Sequence, residues 1–334
     1  MALTTLRGKI LASLLFGLAV VIAIGLFSDL RAVGADFGRF QWELLPIIIG
    51  CTLLNYGLRW LKWDYYLRRL CFGQGVSNLD SGLIFCAGMV MSVTPGKIGE
   101  VFKSYLLRRV NRTPVSRSAP IVLAERLTDG LAMLLLMGLG LTLYPPARPA
   151  FAALVVVTLI GILVVQNRPL CERIVALIAT VPLGKKIAPR LLTVYDSLSQ
   201  LLNWRVLLIS TLISLVSWGF ECLAFYYVIS GLGIESTGLL LLQATFIFAA
   251  STLFGLVSFL PGGLGASEVS SVGLLVTMVG LSASSATTAT IIIRFCTLWF
   301  GVLVGAGALA WFGRRYSAEA AGERLQDAAE PGGV

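Results

Sequence analysis

Two short motifs in this chain have the makings of an anion site. The first is Pro95-Gly96-Lys97-Ile98-Gly99, followed by Glu100, and the second is Pro261-Gly262-Gly263-Leu264-Gly265, followed by Glu268. In such a turn proline removes a donor and stops a helix, while glycine supplies unusual φ and close backbone approach. The helix that restarts afterwards presents free N–H groups, which favour an anion such as phosphate. An arginine stands 26 residues after each glutamate, Arg126 and Arg294. A guanidinium grips phosphate bidentately. The competing account is architectural: Glu100 and Glu268 cap the restarting helices, and the arginines staple helices together.

More charge lies where lipid would not tolerate it. Glu125, Asp129 and Glu221 sit in or against apolar segments. An ionised side chain at a bilayer centre costs about 2.5–3.5 kcal/mol, so such groups face a polar cavity or pair with one another. For Glu125 and Asp129, pairing explains the sequence as well as function does. Lys97 and Lys103 are equally explained as rim charges attracting lipid phosphates. Upstream of each motif, Tyr56-Gly57-Leu58-Arg59 matches Trp218-Gly219-Phe220-Glu221, and each is followed by a Tyr-Tyr pair. Arg59 and Glu221 are therefore expected at opposite ends of a polar route.

Other chemistries are excluded or unsupported. The chain has no His, so His-ligated metals, Ser–His pairs and His proton shuttles are ruled out. Its six cysteines form no C-x-x-C and lie mostly in apolar runs, where they act as small hydrophobes. There is no nucleotide-binding or nucleophile-elbow motif. No metal and no cofactor is expected.

The elements that must position these residues follow from composition. Apolar residues make up 57% of 334, charged residues 13%, and the mean hydropathy is +0.87. A soluble domain is nearer half apolar and a quarter charged, and a chain this short cannot hide the excess in one water-facing core. An ordinary soluble enzyme and a disordered protein are both excluded. Runs long enough to span a bilayer stand at 10–27, 43–62, 119–143, 150–166, 206–230 and 287–312. The first is read as an uncleaved span and not a signal peptide. Residues 81–94 and 238–260 end at the two Pro-Gly motifs and are read as re-entrant or broken helices, although the second is long enough to span instead. Non-helical backbone at membrane depth survives only where protein buries it or water reaches it.

Charge sets direction. Most of the 26 Lys and Arg fall in 1–9, 59–80, 97–117, 167–205 and 313–334, and only Arg31, Arg39 and Arg148 fall in the opposite loops. The positive-inside rule then puts both termini in the cytoplasm. The net charge of +9 points to an anionic lipid surface and not to nucleic acid, because the basic residues alternate with apolar runs. Segment 168–203 is expected to lie along that surface as an amphipathic helix.

The matched turns, glutamates and arginines mark an internal repeat. Each half reads span, span, broken hairpin, span. An odd number of crossings per half inverts the second half, the pattern of transporters with a site at the repeat interface. The expected fold is an all-α integral membrane protein: six transmembrane helices, two re-entrant or broken helical hairpins, and an inverted-topology repeat. Residues 1–145 form the first repeat, 146–312 the second (including 168–203), and 313–334 a disordered cytoplasmic tail.

At these residues the chain resembles the lysylphosphatidylglycerol synthase transmembrane domain family, also called the flippase-like domain family. The resemblance rests on Thr94 to Arg109, on Glu125-Arg126-Leu127-Thr128-Asp129-Gly130, and on Leu260 to Glu268, and extends over roughly residues 10–312. It implies an integral inner-membrane protein that moves a lipid or a lipid-linked sugar between leaflets. Larger members carry a soluble aminoacyl-transferase domain after the membrane part. Here only residues 313–334 follow the last span, which argues against synthase activity.

The resulting expectation is a flippase for an anionic phospholipid or a polyprenyl-phosphate-linked lipid. Its head group would sit at Pro95, Gly96, Gly99, Pro261, Gly262, Gly263 and Gly265, neutralised by Arg126 and Arg294. Glu100 and Glu268 would be acidic partners or proton carriers. Arg59, Lys97, Lys103, Glu125, Asp129 and Glu221 would line a secondary polar route. Two alternatives stay open: a membrane-embedded transferase acting on a lipid head group, and a non-catalytic partner of a separate synthase or glycosyltransferase.

Overall fold

The computed structural model describes residues 30–94, 98–180 and 182–329. The expected span at 10–27 and Pro95, Gly96 and Lys97 lie outside them. Among the described residues the chain is helical, with no β-strand. A short helix α1 (Leu30–Arg39) leads through a 3-10 turn into α2 (Leu45–Arg69). Helices α3 (Asn78–Met89) and α4 (Phe102–Asn111) flank the first Pro-Gly motif. They are followed by α5 (Val115–Leu139), α6 (Arg148–Gln166), α7 (Arg168–Ile178) and α8 (Pro182–Leu201). Then come α9 (Trp204–Ser230), α10 (Gly238–Val257) and α11 (Ala266–Leu274). The chain ends in α12 (Ala283–Arg294) and α13 (Phe300–Ala329), joined by a π-helical segment over Phe295–Trp299.

Five helical stretches among the described residues are long and apolar enough to cross a membrane: Trp42–Arg69, Pro145–Gln166, Trp204–Ser230, Gly238–Val257 and Ala283–Tyr316. Three differences from the sequence expectation have physical reasons. The run at 119–143 is the 25-residue helix α5, but Arg117, Glu125, Arg126 and Asp129 break its apolar character. Residues 238–257, read as a broken helix, form one continuous 20-residue helix, because the Pro-Gly break falls just after its end. Residues 313–329, read as a disordered tail, continue α13. Their Ala, Glu, Arg, Leu and Gln are good helix formers.

Two helical hairpins have their bases near opposite ends of α2. The base of the α3/α4 hairpin is closed by Asn111 Nδ2 donating to Phe72 O at 2.7 Å. The base of the α10/α11 hairpin is closed by Gln243 Nε2 donating to Met278 O at 2.7 Å. Helix α2 separates these ends by ~37 Å at 1.5 Å per residue. It starts beside the second base, where Gln41 N donates to Gly231 O, and finishes beside the first, at Leu70. Between them the tips meet: a Cβ at Gly262 would lie 3.4 Å from Val93 Cα. Consecutive positive φ angles at Gly262 (62°) and Gly263 (67°) turn the second tip, a conformation that other residues rarely adopt.

The hydrophobic core is correspondingly split. One cluster, with Ile48, Met137, Phe225, Phe246 and Ile292, packs near the α1 end. The other, with Trp63, Leu67, Leu107, Ile121 and Phe312, packs near the Phe72 end. On α5 the order is explicit: Ile121 and Ala124 belong to one cluster, Ala132, Met133, Leu134, Leu136 and Met137 to the other, and Glu125, Arg126 and Asp129 lie between. Helix α9 packs along α2 and α5, α10 along α5, and α13 along α3, so the two halves interlock. Helix α6 buries none of its residues.

Candidate functional site

The polar layer is built from α2, α4, α5 and α9 on one side and from the second tip and α12 on the other. On the first side, Lys62 is fully enclosed and donates to Asp129 Oδ1 at 2.5 Å, Ser214 Oγ at 2.6 Å and Thr128 Oγ1 at 3.3 Å. Ser214 donates to the same Asp129 oxygen at 2.9 Å. Arg126 Nη2 lies 3.2 Å from both Asp129 Oδ2 and Glu100 Oε2. Lys103 holds Glu125 at 2.5 Å and stands 4.0 Å from Glu100. Its ammonium also lies 4.7 Å from the Trp63 ring centre and 5.5 Å from that of Phe85, a cation–π arrangement. Three cations therefore face three carboxylates, all largely buried.

On the second side, Arg294 Nε pairs with Glu268 Oε1 at 2.5 Å, and Arg294 Nη2 donates to Gly262 O at 3.1 Å. Glu268 Oε2 accepts from Gly265 N at 2.6 Å, so this glutamate does cap the restarting helix α11. Arg294 lies ~16 Å along α12 from its start, about half a bilayer core. The first motif is braced differently: Gly99 N donates to Thr94 Oγ1 at 2.9 Å, and a Cβ at Gly99 would collide with Thr94 and Met91. Pro261 O accepts from Leu264 N within the second tip.

The two sides open onto contiguous clefts. One cleft is lined by Arg126, Asp129, Gly262, Gly263 and Arg294. A second is lined by Tyr56, Arg59, Glu221, Ser251, Ser271 and Thr290. Trp218, Thr252, Ser267 and Arg294 line both. Arg59 and Glu221, expected at opposite ends of a polar route, face this one cleft together. Arg59 lies 5.4 Å from the Trp218 ring centre and 6.0 Å from that of Phe85. Ser251 Oγ is buried without a hydrogen-bond partner among the described residues.

A family model described as the lysylphosphatidylglycerol synthase transmembrane region matches residues 14–305. The chain belongs to the lysylphosphatidylglycerol synthase transmembrane-region family. The match takes in both hairpins and every charged residue of the polar layer. With the apolar helices above, it makes this a multi-pass membrane protein. Two UPF0104 membrane proteins of Methanothermobacter thermautotrophicus are each 26% identical to it. The alignments cover 86% and 88% of this chain, and 88% and 90% of the relatives. A UPF0104 membrane protein of Pyrococcus horikoshii is 23% identical over 79% of this chain and 85% of its own length.

In this member of the family the structure gathers Glu100, Lys103, Glu125, Arg126 and Asp129 into one network, and Gly262, Gly265, Glu268 and Arg294 into another. Sequence reasoning missed Lys62, Ser214 and Trp218. Lys62 had a visible signal: Asn55, Arg59 and Lys62 follow the spacing of one face of a helix, and a helix with buried polar groups needs partners for them. Trp218 stood in the stretch matched to Tyr56-Gly57-Leu58-Arg59 without a role of its own, and Ser214 carried no signal, since serine is ordinary in membrane helices.

Proposed function

We propose that this protein is a flippase that carries an anionic phospholipid or polyprenyl-phosphate-linked lipid between leaflets of the cell's inner membrane. The head group occupies the cleft between the hairpin tips, and the acyl or prenyl tails stay in the bilayer. The observation that carries this reading is the shared cleft: Arg126 and Arg294, far apart in the chain, line the same space. Two guanidiniums on one cleft, with the hydroxyls of Thr252 and Ser267 beside them, suit a phosphodiester better than they suit a neutral ligand. The hairpins act as re-entrant elements of an inverted repeat, and rocking of one half against the other exposes the cleft to each leaflet in turn. Both termini face the cytoplasm, with α7 and α8 on the anionic inner surface.

A transferase would need a base available to a reacting group. Glu100, Glu125, Asp129 and Glu268 are all held in ion pairs, which favours binding and movement over chemistry. The test is reconstitution of the purified chain in liposomes with fluorescent lipids of defined head group, alongside native mass spectrometry of retained lipid. Movement of phosphate-headed lipids that Arg126→Ala and Arg294→Ala abolish supports the reading. Undiminished movement in both variants, or product formation from lipid and donor in detergent, overturns it.

A further inference from the structure

We infer that the anionic head group travels with one proton, and that Glu268 is the residue that carries it. This rests on the lipid-movement reading above. The two arginines of the cleft differ in what stands behind them. Arg126 holds Glu100 and Asp129, but each of these has a second cation. Asp129 keeps Lys62 at 2.5 Å, and Glu100 keeps Lys103 at 4.0 Å. A phosphate that draws Arg126 away therefore strands no carboxylate. Glu268 has no such reserve: among the described residues Arg294 is the sole cation within ion-pair distance of it.

The difference is written in the sequence. The offset that takes Glu100 to Glu268 and Arg126 to Arg294 takes Lys103 to Ser271, Glu125 to Ile293 and Asp129 to Thr297. The second half has lost its supporting charges. Apart from Arg294, the polar groups that α11, α12 and α10 present to the clefts are hydroxyls. Ser267 and Ser271 share its helix, Thr290 bonds to Ser271 Oγ at 3.1 Å, and Ser251 and Thr252 lie on α10. Across the clefts stand Arg59 and Glu221 from α2 and α9, and Arg126 and Asp129 from α5. Among the described residues the layer holds Arg59, Lys62, Lys103, Arg126 and Arg294 against Glu100, Glu125, Asp129, Glu221 and Glu268, which balance. A phosphodiester adds one negative charge to these balanced described groups, whose carboxylates are all buried.

When phosphate takes Arg294, Glu268 removes that excess by binding a proton. The proton comes from water on the entry side and forms an O–H bond on one carboxyl oxygen. The other oxygen keeps its bond from Gly265 N–H. When the lipid leaves, Arg294 pairs with Glu268 again and the proton returns to water on the exit side. One negative phosphodiester and one proton move together, so the step is electroneutral. A pH gradient drives it and a membrane potential does not.

The experiment uses the full chain in detergent and a short-chain phosphatidylglycerol, whose phosphodiester does not titrate near neutrality. Binding is measured by calorimetry between about pH 6 and 9, in buffers of different ionisation enthalpy. The wild type takes up about one proton per lipid, and its affinity falls about tenfold per pH unit through the alkaline part of the range. In Glu268→Gln the proton uptake vanishes and the affinity is flat with pH. Lipid binding without proton uptake in the wild type overturns the inference, as does an unchanged pH slope in Glu268→Gln. If that variant does not fold, wild-type liposomes decide: lipid movement must follow an imposed pH gradient and ignore a potassium diffusion potential. Movement indifferent to pH sinks the proton and leaves the flippase. A chain that neither binds nor moves the lipid sinks both.

Discussion

Arg126 and Arg294 line one cleft from the two halves of the chain, and each is held there by the glutamate 26 residues before it. The 26-residue separation thus corresponds in each case to an ion pair in space. The pairs are also unequal. Arg126 is 15% exposed and shared between two carboxylates, whereas Arg294 is 21% exposed and serves one.

That inequality predicts different stabilities. Removing one partner of a buried pair costs about 3–5 kcal/mol when the other is left uncompensated. Arg294→Ala strands Glu268 and should fall in that range. Arg126→Ala leaves Glu100 and Asp129 beside Lys103 and Lys62 and should cost clearly less. Adding Glu268→Gln to Arg294→Ala should recover the melting temperature in detergent without recovering lipid movement. Recovery of both together would leave Arg294 as architecture only.

Helix α13 gives a cleaner packing test. A Cβ at Gly305 would lie 2.7 Å from Cys86 O and 2.8 Å from Val90 N, both backbone atoms of the first hairpin. Neither can move without shifting the tip. Gly307, on the same helix, has open space around it. Gly305→Ala should lower stability by about 1–3 kcal/mol, and Gly307→Ala should leave it unchanged or slightly raise it. Paired melting curves of the two variants would show whether α13 packs on the first hairpin in this way.

How far the fold was legible depends on what lipid demands. Continuous apolar runs announce helices because no other backbone is satisfied there, so α2, α6, α9 and α12–α13 were readable. The Pro-Gly motifs announced two tips, since proline and glycine punctuate helices wherever they stand. The sequence left open whether residues 238–260 span or re-enter, because a Pro-Gly break at the end of a helix reads much like one within it; Gly238–Val257 is continuous and long enough to span. Lys62 was missed for an instructive reason. It sits where an apolar run gives way to a basic loop, and it was counted with the loop charges of Arg68 and Arg69. Only the neighbouring α5 and α9, distant in sequence, make it the partner of Asp129 and Ser214. Composition cannot supply such contacts.

Orientation can be tested without mutagenesis. Cys71 is exposed and lies beside Arg68, Arg69 and the base of the first hairpin. The remaining cysteines are buried or partly so. If the basic end faces the cytoplasm, a membrane-impermeant maleimide should modify Cys71 in inverted vesicles and leave it untouched in intact cells. Labelling from outside the cell would reverse the orientation and, with it, the assignment of α7 and α8 to the inner surface.

Lys62 should matter to the site although it touches neither cleft. Its side chain is 1% exposed and its ammonium fixes Asp129 Oδ1, while Arg126 engages Oδ2 of the same carboxylate. Asp129 is thus a two-sided anchor, with Lys62 and Ser214 on one oxygen and the cleft arginine on the other. Lys62→Met keeps the aliphatic stem but removes three donors. Arg126 would then be the only cation left on Asp129 and would be drawn toward it, away from Glu100 and the cleft. Breaking a buried pair in this way costs about 3–5 kcal/mol, less whatever Arg126 recovers by moving. The expected result is a lower melting temperature together with weakened retention of anionic lipid in native mass spectrometry. Lys62→Met with Asp129→Asn removes both charges of the pair and should restore much of the stability. Lipid retention should recover only in part, because Arg126 has lost one of its two anchors. A Lys62→Met variant that melts lower yet keeps its lipid would confine Lys62 to holding α2 against α5, with no bearing on the cleft.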